Sequence, residues 1–164
     1  MSKEQAAGDF MTIVPIGGGQ EVGRSCILLT YRSRTVMLDC GTHPGKDGND
    51  SLPFFDSIDD PSQIDLVLVT HFHIDHCAGL PYFTEKTNFK GKILMTHATK
   101  AVMKLLLSDN IRLQSKARSL YDEKVLTYYY IPLLLGSRNC YFLSLSHLFY
   151  LFFRTFKHVL IKLR

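Results

Sequence analysis

The run Thr70-His71-Phe72-His73-Ile74-Asp75-His76-Cys77 packs three imidazoles and a carboxylate into a few consecutive positions of a 164-residue chain. Imidazole nitrogen and carboxylate oxygen are ligand types of zinc and similar borderline metals. Histidines crowded beside one carboxylate are hard to explain without a cation to share. The plain alternative, a polar loop whose histidines cap a strand, leaves that crowding unexplained. Two metal ions about 3.5–4 Å apart can supply a nucleophile from water and clamp a phosphoryl group. Residue types and spacing therefore point to metal-assisted hydrolysis.

The neighbouring elements must aim these side chains. Residues 64–70 form a short apolar run rich in β-branched side chains, which predicts a buried strand. If the chain stays extended past Thr70, His71 and His73 point to one side, because side chains alternate along a strand. Asp75 and His76 are adjacent and diverge as the chain turns, which suits a second metal. A helix is expected over residues 78–86, with its N-terminus near the metal motif, where its dipole favours anions. Upstream, residues 11–16 read as a first strand. Residues 25–31 and 35–39 read as a hairpin around Arg32-Ser33-Arg34. Residues 41–50 are rich in Gly, Asp and Asn and read as a loop. The glycines of residues 17–23 do not form a dinucleotide-binding turn: the spacing is not GxGxxG and a strand follows. Downstream come a strand over 91–96 and a helix over 98–107, with Val102, Leu105 and Leu106 at helical spacing. Strand–helix units in this order predict an α/β layered domain.

Several blocks follow one another in order: Gly17-Gly18-Gly19-Gln20-Glu21-Val22-Gly23-Arg24-Ser25-Cys26, Met37-Leu38-Asp39-Cys40-Gly41, His71 to His76, Leu80-Pro81-Tyr82-Phe83 and Met95-Thr96-His97-Ala98-Thr99-Lys100-Ala101. Together they resemble the metallo-β-lactamase superfamily. Within it they resemble the β-CASP family, in particular the endonuclease subunits of the cleavage and polyadenylation specificity factor, with the Integrator catalytic subunit as a close cousin. His43-Pro44-Gly45 and Leu52-Pro53-Phe54-Phe55-Asp56 look more like the polyadenylation branch. The resemblance runs from about residue 10 to residue 123.

The resemblance implies an α/β fold: the N-terminal half of a metallo-β-lactamase αββα sandwich, truncated. It implies a zinc-dependent endoribonuclease of pre-mRNA 3′-end cleavage, located in the nucleus. Its partners are pre-mRNA and other subunits of the 3′-end-processing complex. It implies two zinc ions, His71 and His73 on the first and Asp75 and His76 on the second, with Asp75 counted among the catalytic residues. Asp39 is implied as a carboxylate behind the ligands that orients one ligand histidine. His43 and His97 match family positions too, and structural or cleft-lining roles are expected of them. The family also uses a further motif histidine, a carboxylate bridging both metals and late histidines, one of them a general acid. None has a recognisable counterpart here. His158-Val159-Leu160 matches the third motif only superficially, because Lys157 replaces the expected glycine. The chain alone is therefore expected to be inactive. Two other readings stand beside this one. One is a hydrolase of thioesters, lactams or other small substrates on the same fold. The other is a non-catalytic short form that acts through its tail.

Composition divides the chain. Residues 1–9 lack the apolar stretch of a signal peptide and read as a flexible N-terminus. Residues 10–124 read as the partial metallo-β-lactamase domain. From residue 125 on there is no Asp or Glu, and ten of the nineteen aromatics fall there, so the net charge of +4 belongs mostly to this tail. It is poor evidence for nucleic-acid binding by the folded part. Residues 139–153 carry no Asp, Glu, Lys or Arg, but the run is short of the roughly 18 residues that span a bilayer. A membrane role is not expected. The tail reads as foreign to the fold, either read-through of non-coding sequence or an alternative end. A membrane-associated segment and a genuine core segment are the other readings. Cys26, Cys40, Cys77 and Cys140 form no CxxC pair and read as free buried thiols of a reducing compartment.

Overall fold

The structure is a computed structural model and describes residues 10–114 and 140–142. Its sheet starts as an antiparallel meander of β1 (Met11–Gly17), β2 (Cys26–Tyr31) and β3 (Arg34–Leu38). It continues in parallel through β4 (Leu66–Leu68), β5 (Lys92–Met95) and β6 (Cys140–Phe142). The strands lie in sequence order. The hairpin sits where the pattern places it, with Tyr31 opposite Arg34 and Arg32 at φ 50° in the turn. The strand expected over residues 64–70 is confined to β4, and the chain leaves the ladder before Thr70. β6 lies in the segment that composition sets apart as a tail and pairs with β5 from Ile93↔Cys140 to Met95↔Phe142.

Alternation puts two sets of side chains on the two sheet faces. Met37, Val67, Val69, Ile93 and Met95 join the main core, together with Leu80, Phe83, Met103 and Leu107 from the helices. Val36, Leu68 and Leu94 form a second cluster with Leu38 and Leu66. Strands apolar on both faces read as continuous hydrophobic runs, as the parallel strands of α/β folds do.

The helix expected over residues 78–86 begins two residues later, as α2 (Leu80–Lys86), and a separate short helix, α1 (Ile74–Cys77), precedes it. The break has a tertiary cause. The Gly79 amide donates to the Cys40 carbonyl at 2.9 Å, outside the helix. Pro81 falls at the start of α2, where its missing N–H costs nothing. The last helix, α3 (His97–Gln114), is longer than the expected 98–107. The Thr96 hydroxyl caps it by accepting the Thr99 amide at 3.1 Å. Its packed face is Thr99, Met103 and Leu107, four residues apart, whereas Leu105 is 70% exposed. Of the expected stripe, Val102 and Leu106 are half-buried beside that face, and only Leu105 turns outward. Among the described residues no helix is long and apolar enough to cross a membrane. The result is an α/β arrangement of one mixed sheet with helices packed on it, part of the four-layer sandwich expected.

Candidate metal centre

Two parallel neighbours, β3 and β4, deliver the candidate residues from their C-terminal ends. Asp39 follows β3, and its amide donates to the Leu68 carbonyl at 2.8 Å. Its φ of 59° is a left-handed turn that Asp tolerates better than most side chains. The next residues strap the metal motif in place through backbone bonds. Cys40 N donates to His76 O at 2.8 Å, Thr42 N to Ile74 O at 3.1 Å and Ser25 N to Asp75 O at 2.8 Å. Gly41 is required by this close approach, since a Cβ there would stand 1.6 Å from the Asp75 carbonyl oxygen.

The strap gathers the imidazoles. The His71 ring centroid lies 4.6 Å from that of His73 and 4.1 Å from that of His76. His71 Nε2 and His73 Nδ1 are 3.0 Å apart, so these two side chains do reach one side. Asp75 and His76 do not diverge from each other: Asp75 Oδ2 lies 3.5 Å from His76 Nε2. The reason is the early helical turn of α1, which keeps both side chains beside His71. Burial, then the neighbouring His76 and His73 imidazoles, pull the His71 pKa down. The neutral ring, the form that ligates metal, is favoured.

Asp39 lies behind this group and sets its protons. Its Oδ1 accepts the Thr70 amide at 2.7 Å, and its Oδ2 accepts the Thr70 hydroxyl at 2.9 Å and faces His76 Nδ1 at 2.8 Å. The single Thr70 hydroxyl proton goes to Asp39. Thr70 Oγ1, 2.9 Å from His71 Nδ1, can then only accept from that ring. His71 therefore carries its proton on Nδ1 and presents Nε2 as a lone pair. His76 donates Nδ1–H to Asp39 and likewise presents Nε2. Sequence alone assigns Thr70 no role. A hydroxyl residue directly before the first ligand is the signal that could have found it.

Among the described residues no three His, Cys, Asp or Glu side chains close around one point as a finished metal cage. His71 Nε2 and His73 Nδ1 face each other instead, sharing one hydrogen bond. Two nitrogens about 2.0–2.1 Å from a tetrahedral zinc stand about 3.3 Å apart. The observed 3.0 Å is a few tenths of an ångström from that spacing. The donor set fits a borderline metal: Nε2 on His71 and His76, the Asp75 carboxylate, and His73, whose Nδ1 donates to His71 Nε2 here and would give up that proton to ligate. Cys77 does not join it. The thiol is buried and donates to the Phe72 carbonyl at 3.2 Å. Burial, then the Asp39 and Asp75 carboxylates, push its pKa up to about 12, which opposes the thiolate form. Cys26 and Cys40 are also free and buried.

A second polar network fixes the glycine-rich loop after β1. Glu21 pairs with Arg24, with Lys46 at 3.2 Å and with His43 Nε2 at 4.0 Å. Buried Arg24 also donates to the carbonyls of Asp50 at 2.9 Å and Leu52 at 3.2 Å. His43 Nδ1 accepts the Gly45 amide at 3.0 Å. His43 thus sits in the frame of the loops rather than beside His71. His97 is the exposed first residue of α3.

Comparison with known proteins shows the family. The profile of the Metallo-beta-lactamase superfamily matches residues 19–142. Cleavage and polyadenylation specificity factor subunit 3-I of Arabidopsis thaliana is 52% identical over 119 residues, covering 71% of this chain and 17% of that protein. Cleavage and polyadenylation specificity factor subunit 3 of Dictyostelium discoideum is 56% identical over 111 residues, 67% of this chain and 14% of that protein. Endoribonuclease ysh1 of Aspergillus fumigatus is 52% identical over 111 residues, 68% and 13% respectively. The chain thus spans 13–17% of the length of these curated relatives. With its sheet, its strapped histidine motif and this match over most of its length, the chain belongs to the metallo-β-lactamase superfamily.

Proposed function

We propose that residues 10–114 carry half of the metal centre of an RNA endonuclease, one that cleaves pre-mRNA at its 3′ end in the nucleus together with other subunits of the processing complex. Relatives named as cleavage and polyadenylation specificity factor subunits and as endoribonucleases support this reading. The observation that carries it is the Asp39–Thr70–His71–His76 network, which leaves two Nε2 lone pairs on adjoining rings. His71 and His73 are the ligands of one zinc, and Asp75 and His76 those of a second. Bound zinc supplies Lewis acidity and lowers the pKa of water at the site. Asp39 holds the His76 tautomer and, through Thr70, that of His71, as carboxylates behind metal ligands do. Asp75 adds a negative charge that offsets part of the metal charge.

The 164-residue chain by itself does not cleave RNA. His71, His73, Asp75 and His76 hold only one side of each ion, and two-metal catalysis requires the geometry to be fixed on all sides. The test is a graft. Residues 10–109 replace the matching segment of the Dictyostelium relative, and cleavage of a model pre-mRNA is measured. The graft is expected to cleave, and His71→Ala in the graft to abolish cleavage, while the isolated chain shows none above a chelated control. A graft that hydrolyses a thioester or a lactam but not RNA overturns the RNA reading.

A further inference from the structure

A cleft of about 570 Å³ is lined by Pro15, the 17–19 glycine run, Gln20, Glu21, Arg24 and Phe54. None of the four candidate ligands lines it. The two regions are nevertheless joined, because the loop that walls the cleft runs directly into Ser25, whose amide holds the Asp75 carbonyl at 2.8 Å. Whatever occupies the cleft is positioned relative to the metal motif by a short, tethered stretch of backbone.

Phe54 is the notable surface of the cleft, a large aromatic ring that is 58% exposed. It is not loose. Its amide donates to the Ile16 carbonyl at 2.8 Å, and the Arg24 guanidinium carbon lies 4.3 Å from the ring centroid. Arg24 is itself fixed by Glu21 and by the Asp50 and Leu52 carbonyls. The Arg24 guanidinium covers one face of the ring, and the glycine backbone that shares the cleft leaves room for a flat group on the other. The Glu21 carboxylate, kept ionised first of all by its bond from Arg24, repels a phosphate, and its pairing with Arg24 and Lys46 leaves the cleft no net positive charge from Arg24 to attract one. A neutral heteroaromatic ring meets no such repulsion, and the Gln20 amide offers it both a donor and an acceptor.

We propose that this cleft takes one unstacked nucleobase of a single-stranded RNA, stacked on Phe54, and so sets the register of the strand against the metal centre. The proposal rests on the RNA reading above. Stacking on an aromatic ring tolerates every base, so Phe54 positions the strand without choosing its sequence.

The test uses the 164-residue chain and a short fluorescein-labelled single-stranded RNA, read by fluorescence anisotropy. Phe54→Leu is expected to weaken binding about tenfold, within the range of lost base–aromatic stacking, and Phe54→Tyr to retain it. Thermal melting of both variants should match wild type, because the ring is largely exposed. A Leu variant that binds like wild type overturns the stacking proposal and leaves the RNA reading standing. So does an equal loss on an RNA stripped of its bases, since Phe54 then meets no base. A wild-type chain that does not bind the RNA overturns the stacking proposal, and the graft alone decides the RNA reading.

Discussion

Asp39 Oδ2 lies 2.8 Å from His76 Nδ1 and takes the Thr70 hydroxyl at 2.9 Å on the same atom. One carboxylate thus controls two rings. Asp39→Asn keeps the shape and tolerates the left-handed turn, but it exchanges an oxygen for a donor that cannot accept the His76 proton. Zinc affinity, read by competition with a chromophoric chelator, is expected to fall about 10–100-fold. Affinity equal to wild type would show that Asp39 does not orient the ligands.

Thr70 gives a subtler test of the same network. Thr70→Val keeps the β-branched shape and leaves His71 Nδ1 without its hydroxyl partner. The His71 ring should then populate both tautomers, visible in its nitrogen chemical shifts, and zinc affinity should fall about tenfold. Thr70→Ser restores the hydroxyl and should restore both readings.

Gly41→Ala probes the strap. The added methyl meets the Asp75 carbonyl oxygen at 1.6 Å and its carbon at 2.0 Å, both backbone atoms that cannot swing aside. Destabilisation of about 3 kcal/mol is expected, the upper end of overpacking costs, measured by urea unfolding. A neutral result would mean that the strap does not approach α1 as described.

Met103 and Leu105 separate the two faces of α3. Met103 is fully buried, and Met103→Ala should cost about 2–5 kcal/mol. Leu105 is mostly exposed, and Leu105→Ser should stay within about 0.5 kcal/mol of wild type. Equal losses at both positions would restore the face that the sequence pattern suggested.

Asp60 supplies a pH dependence away from the site. Its carboxylate accepts bonds from Ser62, Asn88 and Gln63, and these hold its pKa down to about 2 from an ordinary 3.8. A carboxyl depressed in the folded state stabilises above its unfolded value and loses that contribution as pH falls through the folded value. Asp60→Asn should therefore melt below wild type at neutral pH. The gap should hold down to about pH 4 and close towards pH 2. A gap that does not change with pH would assign the effect to shape rather than charge.

What could be read from the sequence followed how local each feature is. The metal motif was legible because its ligands are neighbours in the chain, and the hairpin because its turn is bracketed by two apolar runs. The break between α1 and α2 was not, since it depends on a bond from Gly79 to Cys40, remote in sequence. On α3, Val102, Leu105 and Leu106 satisfy helical spacing as well as Thr99, Met103 and Leu107 do, and only packing against the core decides that the second stripe is the fully buried one. Asp39 lies 31 residues from Thr70 and 37 from His76. Resemblance pointed to it, but nothing in residue spacing joins such distant positions.

The strap of residues 39–42 has a consequence for metal binding. In zinc-finger peptides the ion's binding free energy is folding free energy, and chelation unfolds the chain. Here the backbone bonds from Cys40 to His76 and from Thr42 to Ile74 tie the loop after β3 to α1 through main-chain atoms that are not metal ligands. A strap made of main-chain bonds is untouched by a change of ligand side chain, so ligand substitutions should lower metal affinity before they lower stability.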